Sequence, residues 1–126
     1  MIYLPSGSLQ EILAYPSTAY DTKLFLIILE ILQLTKFNKY LALTDFPIQS
    51  LSMGEKQRLM LARAFLSTAD WIFMDEPTSH LNDELASDIL EKLFNLQSSK
   101  SLIIISHQHY PKKWFNQVID FSQLNN

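Results

Sequence analysis

Four short stretches carry residues whose types and spacing can do chemistry. The first, Leu51-Ser52-Met53-Gly54-Glu55-Lys56-Gln57-Arg58, sets a serine and a glycine at a helix start. Unpaired backbone N–H groups and the positive end of the helix dipole point outward there, and the Ser52 hydroxyl adds a donor, so the position suits a phosphate. The same residues also read as an ordinary cap, with Ser52 and Glu55 in capping-box spacing. The second, Trp71-Ile72-Phe73-Met74-Asp75-Glu76, is an apolar strand ending in two acids. At the C-terminal edge of an α/β sheet, Asp75 can hold Mg²⁺ through water and Glu76 can orient or deprotonate an attacking water. Two acids opening a solvated loop are the plain alternative. The third, Pro77-Thr78-Ser79-His80-Leu81-Asn82, is a turn-rich loop straight after those acids. The fourth is Ser106-His107, at the end of the next apolar run. An imidazole there can hydrogen-bond a terminal phosphate or a catalytic water, or be satisfied by backbone alone. His107 shares an edge with Asp75 only if their two strands are neighbours. A metal pair of His107 with His109 needs the strand to persist, and Pro111 argues against that.

The elements that must position these groups are legible from caps and periodicity. Ser8 followed by Glu11 predicts a short helix from about Leu9 to Ala14, stopping before Pro16. Asp21 caps a longer helix whose Leu24, Phe25, Ile27, Ile28, Ile31 and Leu32 predict a wide buried face. Residues 38–50 read as a connection with one helical turn. The stretch from Gly54 to about Leu66 is helical, with Leu59, Ala62, Phe65 and Leu66 as its stripe. Trp71–Asp75 and Leu102–Ile105 read as strands covered on both faces, because both are almost continuously apolar. Asn82 caps a helix from Asp83 to Leu96, and Val118–Phe121 is expected to be a third strand. Strands alternating with crossover helices imply a parallel α/β sheet, preceded by a mainly helical lobe.

Composition narrows the class. The 126 residues suit one domain, and 48% hydrophobic content with 18% charge describes a globular chain. A net charge of −3 speaks against a nucleic-acid-binding module, and the absence of cysteine excludes disulfides and thiolate metal sites. The N-terminus lacks the basic flank and long apolar core of a secretory signal. The apolar run around Leu24–Leu32 is about half of the ~20 residues needed to span a bilayer. Gly7 and Gly54 are the only glycines, so a phosphate loop of the form GxxxxGK[ST] cannot be written in this chain.

Taken together and in order, LSMGEKQR, WIFMDEPTSHLN and IIISH resemble the second half of an ABC-type ATPase domain. LSMGE resembles the signature motif, WIFMDE the Walker B strand with its catalytic glutamate, SHLN the D-loop, and His107 the switch histidine. The 32-position gap from Asp75 to His107 suits the helix and strand between them. LPSGSLQEILAYP further resembles the stretch after the Q-loop in exporters related to the peroxisomal acyl transporters. Met53 stands where the family has its first signature glycine, Glu55 where it has Gln, and Asn82 where it has the D-loop Asp. The Walker A loop, the adenine-stacking aromatic and the Q-loop Gln have no counterpart here.

The resemblance implies a P-loop NTPase (RecA-like) parallel-sheet core, C-terminal half only, with a helical subdomain over residues 1–66 and the core half over 67–126. It implies ATP and Mg²⁺ as cofactors, with Ser52, Gly54 and Glu55 closing on nucleotide, Asp75 on Mg²⁺, and Glu76 and His107 as catalytic groups. The implied partners are a second nucleotide-binding domain and a transmembrane transporter domain, not nucleic acid. The implied place is the cytoplasmic face of a membrane, or the cytoplasm for the chain alone. Charge-assisted hydrogen bonds contribute about 1.5–3 kcal/mol each. Losing four or five with the phosphate loop removes about 6–15 kcal/mol, against the roughly 4–8 kcal/mol of mM to μM binding. The expectation is therefore a partial ATPase, inactive until an upstream Walker A segment completes it; the alternative is a non-catalytic remnant or docking module of the same fold. An ABC ATPase of chromosome or repair type is opposed by the acidic balance and the lack of coiled-coil heptads.

Overall fold

A computed structural model describes residues 7–97 and 99–121. Three helices lead the chain: α1 (Leu9–Ala14), α2 (Thr22–Ile31) and α3 (Met53–Leu66), with 3-10 turns at Thr35–Tyr40 and Ile48–Ser50 between the last two. Then follow β1 (Trp71–Asp75), α4 (Asp83–Leu96), β2 (Ser101–Ile105) and a 3-10 turn at Lys112–Trp114.

The helix starts lie where the caps put them. Ser8 and Ser52 each accept the N–H of the residue three ahead, and Glu11 and Glu55 reach back to the cap N–H, so both capping boxes are closed. Asp21 accepts from the Leu24 N–H and Asn82 from the Leu85 N–H, starting α2 and α4. Helix α2 is narrower in its burial than its composition predicts. Phe25, Ile28 and Leu29 are buried, as is Leu32 just beyond, whereas Leu26 and Ile27 are exposed.

Strands β1 and β2 pair in parallel as a two-stranded sheet, in register Trp71↔Ser101 through Asp75↔Ile105. Helix α4 supplies the crossover that parallel neighbours require. One sheet face, Ile72 and Met74 with Leu102 and Ile104, joins a continuous core built from all four helices. Phe65, Leu59, Ile89, Leu90 and Leu93 are fully buried in that core.

Two expectations are corrected. The strands are not covered on both faces: Trp71 and Phe73 are 66% and 64% exposed, and Ile103 is 48% exposed. Apolar residues on both sides permit burial on both sides, but only packed neighbours produce it. Val118–Phe121 is not a strand; its apolar side chains are exposed, and the described sheet holds β1 and β2 only. A strand needs a ladder partner for its N–H and C=O groups, and this segment pairs with neither described strand, although each keeps an open edge. No described helix is long and apolar enough to cross a membrane.

Candidate functional site

The parallel register places Asp75 and Ile105 side by side, so Glu76 and Ser106-His107 emerge together at the C-terminal edge of the sheet. The condition that would bring His107 beside the two acids is thus met. The Glu76 N–H donates to the Ile105 carbonyl at 2.7 Å, continuing the ladder one residue past the strand. Its carboxylate turns back across the same edge. Oε1 accepts the His107 N–H at 3.0 Å, and Oε2 lies 3.5 Å from the Ser106 hydroxyl that donates to it. The His107 ring is fully exposed, with Nε2 3.6 Å from Glu76 Oε1.

Glu76 has φ +50°, in the left-handed region. Such a conformation costs a non-glycine residue about 1–3 kcal/mol and persists only where surrounding contacts over-determine it. Those contacts are present. Besides the Ile105 and His107 bonds, the Glu76 carbonyl accepts from Gln57 Nε2 at 3.0 Å. Gln57 is 7% exposed; its Nε2 also donates to Ser79 Oγ at 3.1 Å, and its Oε1 accepts the His80 N–H at 2.8 Å.

The start of α3 is fastened to the same loop. A Cβ on Gly54 would meet the His80 carbonyl oxygen at 3.4 Å and Leu81 Cδ2 at 3.5 Å, ordinary contact distances that place the helix start directly against the loop. Ser52 and Met53 at the helix N-terminus are exposed. Glu55 is engaged at both oxygens: Oε1 accepts the Ser52 N–H at 2.8 Å, and Oε2 pairs with Lys36. The Lys36 ammonium, aided by the Ser52 N–H, holds the Glu55 carboxyl below its usual range. Arg58 donates to the Leu32 carbonyl at 3.0 Å and to the Gly54 carbonyl at 3.2 Å, tying α3 to the end of α2. Burial lowers the pKa of its guanidinium.

Beneath Glu76 lies a second polar layer. Thr78 is fully buried, and its hydroxyl meets both Gln108 Oε1 and the Tyr110 hydroxyl. Gln108 Nε2 donates to Asp83 Oδ1 at 3.1 Å, and its N–H donates to Ser106 Oγ at 2.9 Å. Tyr110 stacks on Trp114 at 6.1 Å, and Trp114 meets Phe94 of α4 edge-on at 5.3 Å. Aromatic packing against α4 thereby fixes the segment after β2, and with it the layer under the acids.

The Asp75 side chain is exposed at the sheet edge. Among the described residues, no group of three or more His, Asp or Glu side chains forms a metal cage. Mg²⁺ commonly takes one or two carboxylates, several waters and the phosphates of its nucleotide, so a single strand-end aspartate fits that ion. The geometry thus brings Asp75, Glu76, Ser106 and His107 together and sets the start of α3 against the adjoining loop. Sequence reasoning missed Gln57, Thr78, Gln108 and Tyr110. A signal existed for the first: Gln57 stands one turn before the buried Leu61, a polar side chain on an apolar face.

The ABC transporter family model matches residues 9–79, more than half of the chain. The chain belongs to the ABC transporter family. It is 44% identical over 70 residues to the "Probable ABC transporter ATP-binding/permease protein" of Haemophilus influenzae, covering 56% of this chain and 13% of that protein. It is 42% identical over 64 residues to the inner membrane ABC transporter ATP-binding protein YddA of Escherichia coli, covering 51% and 11%. Over 65 residues it is 38% identical to the lipoprotein-releasing system ATP-binding protein LolD 1 of Caulobacter vibrioides, covering 50% and 28%. The chain therefore spans less than a third of each of these relatives. Membership in the family implies a P-loop NTPase fold, and domains of this family generally bind ATP with Mg²⁺.

Proposed function

We propose that this chain supplies the signature helix and the Walker B–switch edge of an ABC ATPase that drives membrane transport, completed by a Walker A segment. Residues 1–66 form the helical subdomain, ending in the signature helix, and residues 67–126 form the C-terminal half of the core. The single observation that carries the reading is the fixing of Glu76. A strained, over-determined carboxylate stands at the sheet edge beside Asp75, with its oxygens aligned by Ser106 and His107. The exposed face of Phe73 and Ile103 supports the half-core part of the reading, since parallel sheets are normally covered on both faces.

In this reading Asp75 would hold Mg²⁺, which supplies charge neutralisation on the phosphates when bound. Glu76 orients the attacking water and accepts its proton, and the exposed His107 ring donates to the terminal phosphate. Ser52 and the Gly54 backbone close on the nucleotide of a second nucleotide-binding domain. Glu55 supports that closure by fixing the Ser52 cap. The partners are that second domain and a transmembrane domain, at the cytoplasmic face of the membrane. Two relatives' names join ATP-binding with permease or lipoprotein release, which supports coupling to transport of a substrate chosen by the membrane domain.

The test is reconstitution. Mg·ATP binding and turnover are measured on the chain alone and on the chain fused to the Walker A half of the Haemophilus relative. The expected result is neither activity alone, and turnover in the fusion that Glu76→Gln removes. Tight Mg·ATP binding with hydrolysis by the unaccompanied chain would overturn the reading.

A further inference from the structure

We infer that Gln57 is the positioning residue for Glu76, holding the carboxylate at the sheet edge by gripping its backbone from the signature helix. Three hydrogen bonds from one buried amide carry this. Both Nε2 hydrogens are used, on the Glu76 carbonyl at 3.0 Å and Ser79 Oγ at 3.1 Å, and Oε1 takes the His80 N–H at 2.8 Å. The Glu76 N–H is held separately by Ile105 at 2.7 Å. With its N–H held from β2 and its carbonyl held from α3, both peptide planes flanking Glu76 are constrained. The left-handed φ of +50° between them follows, and that conformation aims the side chain back at the His107 N–H. A buried amide fully matched in this way costs little, whereas removing it leaves the His80 N–H without that acceptor and the Glu76 carbonyl with only the long 3.4 Å bond from the Ser79 N–H.

The meaning of this link for turnover rests on the proposed function. There Glu76 serves this chain's own nucleotide and the start of α3 serves the opposing one, so Gln57 ties the two sites through one side chain. The link itself is testable without nucleotide. In the full chain, the His107 amide proton reports the Glu76 carboxylate, because a charged acceptor moves a donor N–H downfield. Glu76→Ala gives the position of the unpaired amide. In Gln57→Leu, the His107 resonance is expected to move toward that position and the His80 amide to lose its protection from exchange. In Gln57→Glu, which keeps an acceptor for the His80 N–H and loses both donors, only the His107 resonance is expected to move. Exchange protection of the α4 amides is the control for folding. A His107 resonance unchanged in either folded variant would overturn the proposal. Loss of α4 protection in both variants would overturn it too, since Gln57 would then be a determinant of the whole core.

Discussion

Glu76 and His107 exchange contacts across two strand ends: the Glu76 carboxylate accepts the His107 N–H at 3.0 Å, while the neighbouring Glu76 N–H donates to Ile105 at 2.7 Å. The first bond replaces the next ladder rung with a side-chain acceptor. A glutamine amide oxygen can take the same N–H, so Glu76→Gln should leave the fold intact while removing the base. In the fused ATPase, turnover is expected to fall by about 10²–10⁴-fold with nucleotide binding retained. Single-turnover hydrolysis and nucleotide titration measure the two halves of that statement, and undiminished turnover would refute the assigned base.

Thr78 anchors the polar layer below. Its hydroxyl is fully buried between Gln108 and Tyr110, so Thr78→Val keeps the shape and leaves those groups short of a partner. The expected cost is about 0.5–1.5 kcal/mol by urea denaturation, the loss of hydrogen bonds to groups that still bond each other at 3.2 Å. Thr78→Ser, which keeps the hydroxyl, should cost visibly less.

The Lys36–Glu55 pair makes stability depend on acid. Lys36 first, then the Ser52 N–H, hold the folded Glu55 carboxyl below its usual value. Its contribution is therefore complete above the unfolded carboxylate pKa, about 4.3, and is lost as pH falls through the lower folded value. Lys36 is 64% exposed, so the pair contributes only about 0–1 kcal/mol and is screened by salt. Lys36→Ala should flatten the acid limb of the stability curve at low ionic strength and change little in high salt.

The two faces of β1 should respond differently to truncation. Met74 is 7% exposed and packs into the core, so Met74→Ala is expected to cost about 2–5 kcal/mol. Phe73 is 64% exposed, so Phe73→Thr should stay within about 0.5 kcal/mol in the chain alone. Chemical denaturation of both variants checks this contrast. A large loss at Phe73 would mean that the exposed face is covered in solution.

The elements were legible because their signals are local. Ser8 with Glu11, Ser52 with Glu55, Asp21 and Asn82 each satisfy N–H groups three residues away, so no distant partner is needed to place those helix starts. Helix α4 runs over Asp83–Leu96, as its cap and spacing indicate. The apolar run Trp71–Asp75 likewise marked a strand with acids at its end.

Other features depended on what lies across from them. Val118–Phe121 has strand-like composition but lies outside the two-stranded sheet, and Phe73 is as apolar as Met74 but is 64% exposed. Sequence by itself determined the helix caps, the β1–α4–β2 order and the family's ordered motifs, because those rest on contacts within a few residues. Tertiary structure alone decided the left-handed turn at Glu76, the three-way grip of Gln57 and the placing of Tyr110 under Thr78. Each of these joins groups about 20 or more positions apart, whose pairing is set by how the helices pack on the sheet.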